Sequence, residues 1–187
     1  GAVGGASQLM ATGVQEAANL EQALMRLQGR TGATDAQLQE LRKTARDLGA
    51  DLTLPGVAST DAAQAIERLS AKGLSLEDSM KGAKGALQLA IVGTLDFAEA
   101  ADITADALNQ FQMQGSDATK VADAFAAATV KSGTPVRELY DALRQVGPVA
   151  KKAGLELTDT LAVLSMFGRA GLRGSDAGTS LKTFLLQ

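Results

Sequence analysis

Between Gly168 and Lys182 the chain sets four glycines, at 168, 171, 174 and 178, beside Thr179, Ser180 and Lys182. These are the residue types that cradle a phosphate, with glycine amides close to the oxygens and a lysine supplying charge. Such a loop needs a strand before it and a lysine between the last glycine and the hydroxyl residue. Here Thr179 follows Gly178 directly and Lys182 comes after the hydroxyl pair. The preceding run Leu161–Phe167 fits a helix at least as well as a strand. The competing reading is a corner between two helices, in which Gly171 and Gly174 take positive φ or let the helices approach closely.

Two other constellations invite chemistry. Glu99, Asp102 and Asp106 fall at i, i+3 and i+7 on one helix face, a spacing that could bind a hard cation or supply a carboxylate pair. Helical metal sites recruit further ligands from a facing helix, and no such partner is evident, so a solvated acidic face near a helix N-terminus competes with that reading. The stretch Arg68–Met80 imitates a DNA-binding helix-turn-helix around Gly73, Leu74 and Ser75. Its second helix, however, opens on Glu77 and Asp78, which would repel phosphates, and the same turn serves any αα-hairpin.

The 187 residues contain neither Cys nor His, so disulfides, thiolate nucleophiles, Cys/His zinc sites and Ser-His triads are excluded within them. Scattered carboxylates and hydroxyls without a base give no catalytic constellation, and neither a cofactor nor an enzyme activity is expected. Aromatics make up 3%, a poor platform for stacking nucleic-acid bases, and the net charge of −3 argues against generic DNA binding. That charge is uneven: residues 1–130 carry −6 and residues 131–187 carry +3. No segment has the ~20 apolar residues a membrane span needs, and the start lacks the basic region of a signal peptide. The run at Phe184–Gln187 still lies inside an apolar helical pattern, which reads as part of something longer.

The elements that position these residues read as helices throughout. Met10, Gly13, Ala17, Leu20, Leu24 and Leu27 step by three and four along one stripe, close to a heptad seam, that Gly29 ends. This makes residues 1–30 an amphipathic helix that could pair with a copy of itself, and residues 31–187 a helical core domain. Thr34 and Gln37 form a capping box for a helix ending at Gly49, followed by a loop from Ala50 to Ser59. Further helices start at Thr60, Ser75, Asp96, Ser116 and Thr134, with stops at Gly73, Gly115 and Gly133. The helix from Ser75 is expected to place Leu76, Met80, Ala83, Leu87 and Ile91 on one face, and Asp96 with Glu99 resembles a capping box. Gly147 and Pro148 are expected to break the helix from Thr134 and leave shorter ones at about 149–153, 158–168 and 176–187. Starts at Thr60, Asp96 and Thr134 are 36 and 38 residues apart, a weak period of helical hairpins that must stack to bury their faces. The expected fold is all-α: consecutive antiparallel helical hairpins, about eight to ten helices, with corners at Gly73, Gly115, Gly154, Gly171 and Gly174.

Several stretches, in order, resemble the core region of phage tail tape-measure proteins: Phe97–Phe111, Gly115–Asp123, Ala142–Gly154 and Ala170–Leu181, with weaker support from Thr31–Thr34 and Ala62–Ser75. Together they cover about residues 16–187, while the Leu52–Ser59 loop departs from the pattern. The resemblance implies a structural virion protein, a long helical chain in the tail lumen around which tail tube protein polymerises and whose length sets tail length. It implies several copies, three or six, and contacts with tail tip or baseplate hub proteins and tail assembly chaperones. It implies residence in the host cytoplasm during assembly, and release at infection to help DNA cross the envelope. A helical-repeat scaffold of another context is the alternative reading, and a helix-turn-helix DNA binder a more distant one.

Overall fold

The computed structural model describes the backbone of residues 3–187 and the side chains from residue 11 onward. Among the described residues there are nine α-helices and no strand, in line with the all-α expectation. They are α1 (Val3–Thr31), α2 (Asp35–Gly49), α3 (Ser59–Ala71), α4 (Leu76–Gly93), α5 (Phe97–Gln110), α6 (Ala118–Ser132), α7 (Val136–Lys152), α8 (Leu157–Arg169) and α9 (Gly174–Leu185). A 3-10 turn, Gly115–Asp117, leads into α6.

One turn design joins nearly all of them. A residue with positive φ sits at 32, 73, 94, 112, 133, 154 or 171, and two positions later comes the residue that caps the next helix. The residue between points inward: Ala33, Leu95 and Thr134 are buried, and Leu74, Met113, Leu155 and Leu172 pack against the core. At Gly73, Gly154 and Gly171 the helix end is a Schellman motif. After α8, for example, the Leu172 amide donates to the Phe167 carbonyl at 2.9 Å and the Gly171 amide to the Gly168 carbonyl at 3.1 Å. Thr94 and Gln112 make the same turn without glycine, at φ 50° and 56°, so sequence punctuation by glycine misses two of the corners. The exception is the α2–α3 connection, a longer loop pinned by buried Leu54 and Val57.

Helices two apart in sequence also pack on each other. α3 lies between α1 and α5, and α5 between α3 and α7; α9 makes an extensive contact with α7, and α6 lies between α4 and α8. The result is a two-layer array with odd-numbered helices in one layer and even-numbered in the other. Its apolar interior forms two clusters. One spans α1 to α5 and the other α4 to α9, so α4 and α5 contribute to both.

Several expectations shift on contact with this packing. α1 continues past Gly29 to Thr31, and Gly32 makes the turn. The cap of α3 is Ala58 rather than Thr60, its amide donating to the Asp61 carboxylate at 2.8 Å. The expected capping box at Asp96 does not form: the Asp96 side chain makes no capping hydrogen bond, and the Glu99 carboxylate pairs with Arg137 instead. α4 does not bury a single stripe: Ser79, Gly82, Gly85, Ala86 and Leu89 are all buried and Ile91 is exposed, since α3, α5 and α6 surround it.

The largest correction is α7, which runs unbroken through Gly147 and Pro148. Proline removes one backbone hydrogen bond, to the Arg144 carbonyl. Pro148 and Arg144 both face solvent, so water can take that acceptor, while buried Val146, Gly147 and Ala150 hold the helix in the core.

The corner glycines divide by mechanism. Gly73, Gly154, Gly171 and Gly174 have φ of 96°, 85°, 88° and 59°, with open space where a Cβ would go. Gly115 has no positive φ; a Cβ there would lie 2.0 Å from the Asp78 carbonyl oxygen. The close approach in the C-terminal corner falls instead to Gly178, whose Cβ would lie 2.2 Å from the Ala142 carbonyl oxygen of α7.

Three classes of glycine substitution should therefore separate in chemical denaturation. Gly171→Ala should cost about 1–2 kcal/mol, the penalty of a left-handed L-residue. Gly178→Ala should cost more, because backbone has to move. Gly29→Ala, in open space on a helix, should stabilise by about 0.5–1 kcal/mol.

Candidate functional site

The Gly168–Lys182 stretch is not a loop. Thr179, Ser180 and Lys182 lie within α9, where the backbone amides are already helical donors and Gly178 is pressed against α7. Gly168 sits in α8, and a Cβ there would fall 2.3 Å from the Thr134 hydroxyl oxygen. The four glycines thus serve the one turn between α8 and α9, at Gly171 and Gly174, and two close contacts, at Gly168 and Gly178.

The helix-turn-helix mimic is likewise used internally. Ser75 caps α4 by accepting from the Asp78 amide at 3.0 Å. The Asp78 carboxylate accepts from the Ser75 hydroxyl at 2.8 Å and from the Gly115 amide at 3.0 Å, and these bonds, Ser75's first, lower its pKa. The N-terminus of α4 is therefore covered by the turn leading into α6, and it is not free to enter a groove.

Glu99, Asp102 and Asp106 are the centre of the polar organisation. Each meets a partner from a neighbouring helix of the odd layer. Arg137 of α7 donates twice to Glu99, at 2.6 Å each, and this pairing holds the Glu99 carboxyl below the ordinary range. Arg68 of α3 donates to Asp102 at 3.1 Å and through a second guanidinium nitrogen. Lys72, at the C-cap of α3, reaches Asp106 at 3.1 Å, and the Tyr140 hydroxyl of α7 donates to the same carboxylate. Burial first, and then the Asp106 carboxylate, push the Tyr140 phenol well above its usual pKa. Arg144 lies 5.6 Å from the Tyr140 ring centre, a cation–π distance.

The three carboxylates thus lace α3, α5 and α7 together, and their negative charge is answered by protein cations. Among the described residues, no group of three or more His, Cys, Asp or Glu is placed to hold a metal ion. The sequence showed the carboxylates but not their partners, which lie 34 to 38 residues away. That offset is close to the 36 and 38 residues separating the alternate helix starts at Thr60, Asp96 and Thr134, so the repeat spacing was the signal that could have found them. A further pair, Lys84 to Asp51 at 2.8 Å, ties the α2–α3 loop to α4. With Thr53, Lys84 draws the Asp51 pKa from 3.8 to about 2.

The helical stripe Met10 to Leu27 divides. Leu20, Leu24 and Leu27 are buried in the core beside α2 and α3, each contributing about 1.5–3 kcal/mol. Gly13 and Ala17 lie in the exposed segment 11–19, and the Met10 side chain lies outside the described residues. α1 is in this way part of the core domain at its C-terminal end.

The described residues form an all-α, repeat-like array whose charged residues clamp helices to one another. The family follows from comparison: residues 42–187 match the phage-related minor tail protein family, and the chain belongs to it. It is 33% identical over 159 residues to a tape measure protein of Pneumococcus phage Dp-1, a match covering 85% of this chain and 14% of that protein. It is 28% identical over 151 residues to a probable tape measure protein of Escherichia phage P2, covering 80% of this chain and 18% of that protein. The chain thus spans less than a fifth of the relatives it matches. No solved structure matches it.

Replacing Asp106 tests the clamp. Asp106→Asn should destabilise the fold by about 0.5–2 kcal/mol, the range for a partly exposed site with several polar partners. It should also lower the pH at which Tyr140 ionises, as followed by ultraviolet titration. An unchanged phenol titration would mean that the contact is absent in solution.

Proposed function

We propose that this chain is the folded core of a tape-measure protein, a structural component of the phage tail lumen. In this reading the longer polypeptide sets tail length and templates polymerisation of the tail tube protein, and it leaves the tail at infection to assist DNA passage. The observation that carries the reading is the 33% identity, over 85% of the chain, to a protein bearing that name. Length measurement belongs to the whole polypeptide rather than to this region. A helix rises about 1.5 Å per residue, so a long helical chain is a usable ruler, whereas the present region folds into a compact array.

The physics is compatible with passage through a tube. There is no disulfide-forming residue, aromatics are 3%, and the ion pairs that lace the odd layer are partly exposed. Each such pair contributes roughly 0–1 kcal/mol, so no single contact has to be broken at great cost. No helix among the described residues is long and apolar enough to cross a membrane. Self-association as a trimer or hexamer would draw on the exposed part of α1 or on regions outside this chain, because Leu20, Leu24 and Leu27 are engaged in the core. Tail tip or baseplate hub proteins and tail assembly chaperones are the further partners of this reading, met in the host cytoplasm during assembly.

Mass spectrometry of purified virions tests it directly. Peptides from residues 42–187 should be present in intact virions and depleted in particles that have ejected their DNA. Their absence from intact tails would contradict the reading and favour a helical-repeat scaffold with another task.

A further inference from the structure

Packing couples each part of the array only to the parts beside it. Helices pack on neighbours one or two places along the chain, and among the described residues none packs extensively on a helix three or more places away. The polar ties have the same range: Arg30 to Glu67, Asp51 to Lys84 and Glu99 to Arg137 bridge 37, 33 and 38 residues. In an array of this kind stability is approximately the sum of the repeats and of the interfaces between neighbours. The two ends are not closed on each other, so the interfaces decide where the molecule parts.

Those interfaces are unequal. The α3–α4 and α5–α6 hairpins, within residues 59–132, are joined at backbone range: a Cβ at Gly85 would lie 2.2 Å from the Ala118 backbone, and one at Gly115 2.0 Å from the Asp78 carbonyl oxygen. Arg68 and Lys72 hold Asp102 and Asp106 across the same interface, and the Asn109 side-chain amide donates to the Lys72 carbonyl at 3.1 Å. Towards α7–α9 the tightest glycine, Gly147, faces only the side chain of Gln110, and the Arg137–Glu99 pair is partly exposed. Towards α1–α2, Gly49 lies close to Ser59 where the chain itself crosses, but α2 touches α4 only lightly and the Arg30–Glu67 pair is partly exposed. We propose that residues 59–132 form a central unit from which α1–α2 and α7–α9 detach separately under tension, so that the chain is drawn out in three stages rather than in one. The inference rests on the packing and not on a role in the tail, and its failure would leave that role untouched.

Pulling the 187-residue chain by its two ends in optical tweezers tests it. Two events of about 150–200 Å should precede a last and longest one of about 200–250 Å, at about 3.3–3.6 Å per released residue. The sequence has no cysteine, so Leu52→Cys, at a position 97% exposed, offers a single attachment point. Pulled from there and from the C-terminus, α1 and α2 lie outside the force path, and one of the two shorter events should vanish while the other events stay. A single event releasing the whole chain would overturn the proposal. So would three events that persist unchanged from the Leu52 attachment.

Discussion

The structure depends on how closely α4 and α6 approach. At Gly85 there is no room for a Cβ, the Ala118 backbone being where one would stand, and at Gly115 the same is true against the Asp78 carbonyl. Contacts at that range admit one register and little tilt. Once α4 is seated on α6 in this way, α5 is held between them at its ends by three- and four-residue turns. The α3 and α7 helices can then reach the carboxylates of α5 with Arg68, Lys72, Arg137 and Tyr140. The ion pairs are consequences of that seating. Being partly exposed, they add specificity of alignment more than stability.

Close approach also explains the composition. A core with 3% aromatics cannot rely on large rings, although Phe111 and Phe125 are fully buried. It relies on alanine and glycine at helix crossings and on leucine between them. Dispersion contacts multiply as backbones approach, so small residues stabilise through their neighbours rather than through their own area. The price is sensitivity: a single added methyl group at Gly85, Gly115 or Gly178 has nowhere to go.

Much of this was legible in the sequence, and the failures have common causes. The Thr34 capping box forms as read, with the Thr34 amide donating to Gln37 at 2.9 Å, because both partners are local. Ser75 also caps as expected. Corners at Gly73, Gly154 and Gly171 followed from glycine, but Thr94 and Gln112 adopt the same backbone without it, where the residues that follow, buried Leu95 and partly buried Met113, pack against the core. The break expected at Pro148 fails for a similar reason, since tertiary burial on the opposite side of α7 overrides the lost hydrogen bond. The carboxylate cluster was seen without its cations because those sit one repeat away. The glycines of the C-terminal corner were assigned to a helical corner, yet the tightest contact, Gly178 on Ala142, could not be seen without knowing that α9 packs on α7.

Because α4 and α5 belong to both apolar clusters, they should be the last part of the molecule to open. Native-state hydrogen exchange measures this directly, as local openings release peripheral helices before the shared centre. The account predicts that the slowest-exchanging amides lie in α4 and α5 and exchange only through global unfolding, with α1, α2 and α9 exchanging earlier. Exchange in α4 and α5 as fast as in α2 or α9 would contradict it, because the two clusters would then not be joined through a common, closely seated hairpin.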